Sequence, residues 1–163
     1  MTRLFLFLML SLLLTACSHT YYVVRHAEKA ILEKNRSTDV PLTISGLARA
    51  NALKEILQTK KVANVYSTNT IRTMATAKPT ADYFKLRIQP YGPKPDSSFI
   101  DALKLLKRNT LIVGHSNTVD DIVNGLMGRI ALAGDLQDGE YNNLFVIKMR
   151  GKKVWFERRT FGQ

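Results

Sequence analysis

The sequence has one cysteine and one tryptophan among its 163 residues, and it is short of acidic side chains. A single cysteine excludes an internal disulfide bond in any compartment. Lysine and arginine outnumber aspartate and glutamate by 24 to 13, which gives a formal net charge of +11. These basic residues are spread along the chain without an interleaved aromatic stripe, so nucleic acid is not an expected partner. The excess is compatible with anionic lipid headgroups or phosphorylated substrates as partners, and also with a solvated surface that binds neither.

The longest apolar run lies near the amino terminus, where Arg3 precedes the stretch from Leu4 to Leu14. This run is too short for a membrane span and is typical of a cleaved export signal. The alternative, a buried hydrophobic helix, is disfavoured because the run has no amphipathic face. Residues 14–17, Leu-Thr-Ala-Cys, resemble the lipobox of bacterial lipoproteins, in which the cysteine is lipidated.

The predicted organisation is therefore a lipoprotein signal peptide over residues 1–16 and a single domain over residues 17–163. The lipobox resemblance implies that Cys17 carries a lipid anchor and that the domain is held to a membrane of the bacterial cell envelope, on the exported side. Residues 18–20 are expected to form a flexible tether that keeps the functional site of the domain close to the bilayer.

Strand and helix segments alternate along the rest of the chain. Strands are predicted at 21–24, 62–66, 86–89, 110–113, 144–149 and 154–159, with helices at 46–57, 70–83, 98–106 and 118–127. Pro79 is expected to kink or divide the second helix, and Pro90 is assigned to a loop. The alternation predicts an α/β fold. We expect a three-layer sandwich in which a mostly parallel sheet has helices on both faces and an antiparallel edge.

Two predicted strands end abruptly in a histidine with polar neighbours, in YYVVRHAEK (21–29) and TLIVGHSNT (110–118). Ligands of open α/β sheets bind beyond the carboxyl ends of the strands, so His26 and His115 are expected in one site. Arg25 offers a planar fork of donors that suits phosphate oxygens, and a fixed imidazole can attack phosphorus. Arg72 is predicted in the first turn of a helix, where free backbone N–H groups also favour an anion.

These segments together resemble the histidine phosphatase superfamily, which includes phosphoglycerate mutases and short bacterial phosphohistidine phosphatases. Arg25-His26-Ala27 is similar to the family signature after the first strand, and the helix with Arg72 is similar to its second-arginine segment. Gly114-His115-Ser116 is similar to its second-histidine motif. The resemblance implies that neutral His26 attacks phosphorus while Arg25, Arg72 and protonated His115 hold the phosphoryl oxygens. It implies neither a metal nor another cofactor.

Two further residues are expected to support this site. Glu28 is expected to orient side chains around the phosphate pocket, and Asn117 to cap the next helix or touch the substrate. The proton donor for the leaving group stays unassigned, because Ser116 stands where the acid-phosphatase branch has an aspartate. The acids available between the second arginine and the second histidine are Asp82, Asp96 and Asp101, of which Asp96 lies in a predicted loop.

The sequence thus predicts a metal-independent phosphatase that hydrolyses a phosphomonoester or phosphoramidate through a phosphohistidine on His26. The expected substrate is a phosphorylated small molecule or a phosphoprotein. A mutase-like phosphotransferase and an inactive lipoprotein that binds a phosphorylated ligand are the alternatives, and the short loops favour hydrolysis over transfer. A zinc site made by His26, His115 and Glu28 is also conceivable, but the neighbouring arginines would repel a cation.

Overall fold

A computed structural model describes residues 18–31 and 39–162, which form six strands and four helices. The strands are β1 (Ser18–Arg25), β2 (Asn64–Thr68), β3 (Ile88–Tyr91), β4 (Thr110–Gly114), β5 (Asn143–Arg150) and β6 (Lys153–Thr160). The helices are α1 (Ile44–Leu57), α2 (Ile71–Phe84), α3 (Ser97–Leu106) and α4 (Val119–Met127). The predicted signal peptide and Cys17 lie outside the described residues. In the described part, no helix is both long enough and apolar enough to cross a bilayer.

The six strands form one sheet in the order β3-β2-β4-β1-β5-β6. Strands β3, β2, β4 and β1 are mutually parallel, whereas β5 is antiparallel to β1 and β6 is antiparallel to β5. The predicted parallel sheet with an antiparallel edge is confirmed. In the register of β1 and β4, Arg25 lies opposite Gly114. The residues that follow these two strands therefore emerge side by side at one edge of the sheet.

Alternate residues of the central strands point into two separate cores, as expected for strands covered on both faces. On one face Tyr21 and Ile112 belong to a cluster with Leu103 of α3 and Ile122 of α4. On the other face, Tyr22, Val24 and Leu111 belong to a cluster with Leu53 of α1 and Ala77 of α2. The fold is thus the three-layer sandwich predicted from the sequence, with two helices on each face.

Helix α1 begins against the segment that follows β1. The Thr43 hydroxyl caps α1 by accepting a 3.0 Å hydrogen bond from the backbone N–H of Gly46. The Thr43 backbone N–H donates to the carbonyl oxygen of Glu28 at 2.9 Å. A Cβ atom on Gly46 would collide with that same carbonyl oxygen, so a glycine is required here. The start of α1 therefore fixes the chain just beyond Arg25 and His26.

Two predictions about prolines are wrong: Pro79 does not divide α2, and Pro90 does not lie in a loop. Helix α2 runs through Pro79 without a break, because its buried face, which includes Thr76, Ala77 and Ala81, packs against the sheet. Packing compensates for the one backbone hydrogen bond that proline removes. Pro90 lies inside β3 rather than in a loop. Strand β3 is at the edge of the sheet, where proline is tolerated because one side of the strand has no partner.

The predicted tether is also wrong, because Ser18 to Thr20 are the first residues of β1 and pair with Arg150 to Lys148 of β5. His19 is buried, and its ring lies 5.3 Å from that of Tyr21 in an edge-on contact. Pairing with the distant strand β5 orders this segment, although its polar sequence lacks the apolar residues that predict a strand. Trp155 is 47% exposed on the edge strand β6.

Candidate active site

His26 follows the carboxyl end of β1 and is buried at the centre of the site. Its backbone N–H donates to the Gly114 carbonyl oxygen at 2.9 Å, and its ring Nδ1 lies 2.7 Å from the carbonyl oxygen of Ala27. A carbonyl only accepts hydrogen bonds, so the proton of the neutral imidazole is on Nδ1 and the lone pair is on Nε2. Burial, with added repulsion from Arg72 and Arg25, lowers the pKa of His26 to about 3. The ring is therefore oriented and neutral at physiological pH, a state that suits a nucleophile.

His115 follows β4, and its ring centroid lies 5.5 Å from that of His26. Its Nδ1 is 3.3 Å from Nη2 of Arg72, and its Nε2 is 2.8 Å from the hydroxyl of Thr68. A guanidinium only donates, so Nδ1 carries the lone pair and Nε2 carries the proton. Burial and then the charges of Arg72 and Arg25 lower the pKa of His115 to about 4.

The family resemblance implies a protonated His115, but the surroundings of the ring in this structure favour the neutral imidazole. Burial stabilises the neutral form of the ring, and the charges of Arg72 and Arg25 add to this effect. A phosphoryl dianion placed between these groups would raise the pKa of His115, because an opposite charge within a few ångströms favours the charged form. Protonation of His115 is thus expected to accompany substrate binding.

Arg25 is buried beside His26, and three contacts hold its guanidinium. Nη1 donates to the Gln137 carbonyl oxygen at 2.9 Å, Nη2 lies 3.6 Å from a carboxylate oxygen of Asp138, and the group lies 4.4 Å above the ring of Tyr141. The Tyr141 ring is also 5.9 Å from that of His26. The buried Nε of Arg25 has no hydrogen-bond partner among the described residues. Arg25 is therefore a fixed cation with donor capacity beyond its contacts within the protein.

Arg72 lies in the first turn of α2 and connects that helix to both histidine segments. Its Nη1 is 3.4 Å from Asp39 Oδ1, and Asp39 Oδ1 also accepts from the Ile71 backbone N–H at 2.9 Å. The Thr76 hydroxyl donates to the Arg72 carbonyl oxygen at 2.8 Å and accepts from the Ala27 N–H at 2.9 Å. These contacts place two cations and two neutral imidazoles at the carboxyl edge of the sheet, an arrangement suited to a phosphoryl group.

Glu28 is paired with a residue of α1, and Asn117 does not cap α4. The Glu28 carboxylate accepts from Nε and Nη2 of Arg49 on α1, at distances from 2.6 to 2.9 Å. Although burial opposes it, these hydrogen bonds hold the pKa of Glu28 below its usual value. Asn117 is exposed, and Thr118 occupies the N-cap position of α4 without a side-chain cap bond. The Thr118 hydroxyl instead accepts from the His115 backbone N–H at 2.9 Å.

The three acids considered as proton donors are also engaged elsewhere or exposed. Asp96 caps α3 by accepting from the Phe99 N–H at 2.8 Å, Asp82 pairs with Lys78 on α2, and Asp101 is exposed on α3. No group of three or more histidine, cysteine, aspartate or glutamate side chains within residues 18–31 and 39–162 is arranged to hold a metal ion.

Three residues that contact the site are not identified by the sequence argument. Thr68 ends β2 at the same edge as His26 and His115, so its position after a parallel strand is a signal that could have revealed it. Tyr141 and Asp39 have no such signal, because each reaches the site from a loop distant in sequence. Their roles depend on contacts that only the folded chain defines.

The comparison with protein families gives a match to the histidine phosphatase superfamily (branch 1) over residues 21–91. The matched region contains Arg25, His26 and Arg72. None of the curated protein sequences compared with this chain matches it significantly.

Solved structures with the same fold cover most of this chain. The protein histidine phosphatase SixA complexed with tungstate has a TM-score of 0.65 at 17% identity, over 86% of this chain and 96% of that one. A mycobacterial glucosyl-3-phosphoglycerate phosphatase has a TM-score of 0.64 at 11% identity, over 89% and 99%. A phosphoglycerate mutase from Bacillus anthracis has a TM-score of 0.63 at 16% identity, over 89% and 94%.

These identities are low, so the structural likeness concerns the fold. The family match supports an enzyme of the phosphatase or mutase type. The match over residues 21–91 confirms the resemblance to the histidine phosphatase superfamily that the sequence motifs indicate in this part of the chain.

Proposed function

We propose that this protein is a metal-independent phosphatase that hydrolyses a phosphomonoester or a phosphoramidate through a phosphohistidine on His26. The observation that carries the proposal is the 2.7 Å hydrogen bond from His26 Nδ1 to the Ala27 carbonyl oxygen. This bond fixes the ring and leaves the Nε2 lone pair for attack. Arg25 and Arg72 supply the positive charge that a phosphoryl group requires.

In the first step, Nε2 of His26 attacks phosphorus in line, the N–P bond forms, and the bond from phosphorus to the leaving group breaks. Arg25 and Arg72 offset the charge on the phosphoryl oxygens, and His115, protonated once the dianion is bound, donates to one of them. In the second step, water attacks the phosphorus, the N–P bond breaks, and inorganic phosphate leaves. His26 returns to its neutral form with its lone pair on Nε2, and the proton of water is released.

The need of the leaving group for a proton favours one class of substrate. Asp39 and Asp138 lie beside Arg72 and Arg25, and in the described part of the chain their ion pairs are to the guanidinium groups, with none to a histidine of the site. Leaving groups that take a proton readily from water should therefore react fastest, and the imidazole nitrogen of a phosphohistidine is such a group. The SixA structure with the same fold belongs to a protein histidine phosphatase, which supports this choice.

Phosphate release tests the proposal directly. The full-length protein, purified in detergent, is incubated with a phosphohistidine peptide, phosphoserine and a sugar phosphate, with and without a chelator. We expect release that the chelator does not change and that His26→Ala abolishes. Release that survives His26→Ala, or that requires a metal, would contradict the mechanism. Ligand binding without any release would favour the inactive binder, and transfer to a second hydroxyl would favour the phosphotransferase.

We also propose that the protein is a lipoprotein of the bacterial cell envelope, with Cys17 lipidated and residues 1–16 removed. The support is the apolar run from Leu4 to Leu14 followed by Leu-Thr-Ala-Cys. Two lipid chains on one residue would hold the domain stably at a membrane without a spanning helix.

A further inference from the structure

The end of the sheet opposite the active site, called here the basic end, consists of three helix-to-strand loops and the β5–β6 turn. These are residues 58–63, 85–87, 107–109 and 150–153. Every ionisable side chain in these four segments is a lysine or an arginine. Most of these basic side chains are exposed, including Lys61, Lys85, Arg87, Lys107, Arg108 and Lys152. This one surface therefore carries a large share of the positive charge of the chain.

Strand register places the four segments together. Thr110 at the start of β4 is opposite both Tyr21 of β1 and Asn64 of β2, and Arg150 is opposite Ser18. Asn109 links the loops, because its side-chain oxygen accepts from the Thr20 N–H at 2.9 Å and its amide donates to the Lys60 carbonyl at 2.6 Å. The basic end is therefore one surface rather than four separate loops.

The backbone conformation of this surface is unusual for lysine. Lys61, Lys85 and Lys107 have φ of 50°, 55° and 47°, and each lies in a different helix-to-strand loop. This left-handed region is strained for a side chain with Cβ and normally favours glycine or asparagine. A cation at a helix carboxyl end also compensates the helix dipole, which suits Lys85 and Lys107. Lys61 lies beyond the C-cap Gln58 of α1, where that effect is weak.

The chain enters the fold at the same end. Strand β1 begins at Ser18, and the sequence before it contains the apolar run and Cys17. Trp155 of β6 lies opposite Lys148 near the β5–β6 turn, in an open groove of about 560 Å³ that Lys60 and Tyr22 also line. Tryptophan favours the interface between lipid and water. A basic surface, an exposed tryptophan and the entry point of a candidate anchor thus coincide.

We propose that the basic end docks on an anionic lipid bilayer, with Trp155 at the level of the headgroups. This inference stands on the placement of charge and does not depend on the phosphatase chemistry. Strand β1 spans eight residues from Ser18 to Arg25, so its two ends lie roughly 23 Å apart at the usual rise of a strand. The active site then faces away from the membrane, contrary to the expectation that the anchor keeps it close to the bilayer.

This orientation also narrows the substrate class, and that consequence rests on the proposed function. A site on the far side of the domain meets solutes and protein surfaces, whereas a phospholipid in the same bilayer is out of reach. Soluble phosphorylated compounds and phosphoproteins are therefore the expected substrates.

Vesicle binding tests the docking surface. The full-length protein is mixed with vesicles of phosphatidylcholine alone or with phosphatidylglycerol added, and the bound fraction is measured by sedimentation at two salt concentrations. Lys85→Asn/Lys107→Asn removes two charges and keeps a residue that accepts left-handed φ, so the fold is retained. Lys78→Gln/Lys94→Gln removes two charges elsewhere and is the matched control.

We expect the anionic lipid to increase binding in a salt-dependent way. The double variant Lys85→Asn/Lys107→Asn should reduce that increase roughly tenfold or more. The control variant Lys78→Gln/Lys94→Gln should leave the increase nearly unchanged. Because Trp155 is the only tryptophan, its emission should shift to the blue on binding and be quenched by brominated lipid. An equal loss of binding in both double variants, or binding without a change in Trp155 emission, would overturn the proposal.

Discussion

The hydroxyl oxygen of Thr68 lies 2.8 Å from Nε2 of His115. The same hydroxyl donates to the Thr73 hydroxyl at 3.0 Å, so it accepts the Nε2 proton rather than donating to the ring. This pairing fixes the tautomer of His115 and turns Nδ1 toward Arg72. The buried end of β2 therefore controls which nitrogen faces the proposed phosphoryl site.

We expect Thr68→Val to lower kcat roughly tenfold to a hundredfold, because His115 loses the acceptor that orients it. The pH dependence of kcat should change as well, since the ring can adopt the other tautomer. Thr80→Val is the matched control. Thr80 is buried on α2, and its hydroxyl has no hydrogen-bond partner in the described part of the chain. Equal kcat losses in the two variants would contradict the orienting role of Thr68.

Arg72→Ala should reduce kcat/KM roughly a hundredfold, since loss of one preorganised donor costs about 3 kcal/mol of transition-state stabilisation. Lys152→Ala, in the exposed β5–β6 turn, should change kcat/KM less than twofold. Steady-state kinetics on the best substrate measure both values. Small and similar effects would mean that Arg72 does not face the developing charge.

The histidine pKa values predict how stability depends on pH. His26 and His115 titrate near 3 and 4 in the folded protein, below the value of 6.5 expected in the unfolded chain. The unfolded chain therefore binds more protons between these limits, and the free energy of unfolding should fall as pH decreases from about 6.5 toward 4. Urea denaturation between pH 7 and pH 5 measures the slope. The slope should be shallower in His26→Gln/His115→Gln, and an unchanged slope would contradict the lowered pKa values.

Metabolic labelling with a fatty-acid analogue tests the anchor. The wild-type protein should be labelled and should fractionate with membranes, whereas Cys17→Ser should be unlabelled or remain as the precursor. Phosphatase activity of Cys17→Ser should persist, because a single cysteine forms no internal disulfide bond. An unlabelled wild-type protein in the soluble fraction would contradict the lipoprotein proposal and leave the phosphatase proposal intact.

The main residues of the site could be predicted from the sequence because they directly follow strands or begin helices. His26 and His115 each follow an apolar run, and the parallel pairing of β1 with β4 brings them together. The protonation state of His115 was not accessible, because it depends on burial and on how close two arginines approach. The order of residues 18–20 was not accessible either, since it depends on pairing with β5, which is distant in sequence.

The most direct test of the account is the identity of the phosphorylated atom. The protein is mixed with substrate, quenched rapidly without acid and mapped by tandem mass spectrometry, with phosphorus NMR to identify the ring nitrogen. The account predicts a phosphoryl group on Nε2 of His26, because Nδ1 is held by the Ala27 carbonyl, and none in His26→Ala. A phosphoryl group on another residue or on Nδ1 of His26, or full turnover by His26→Ala, would contradict it.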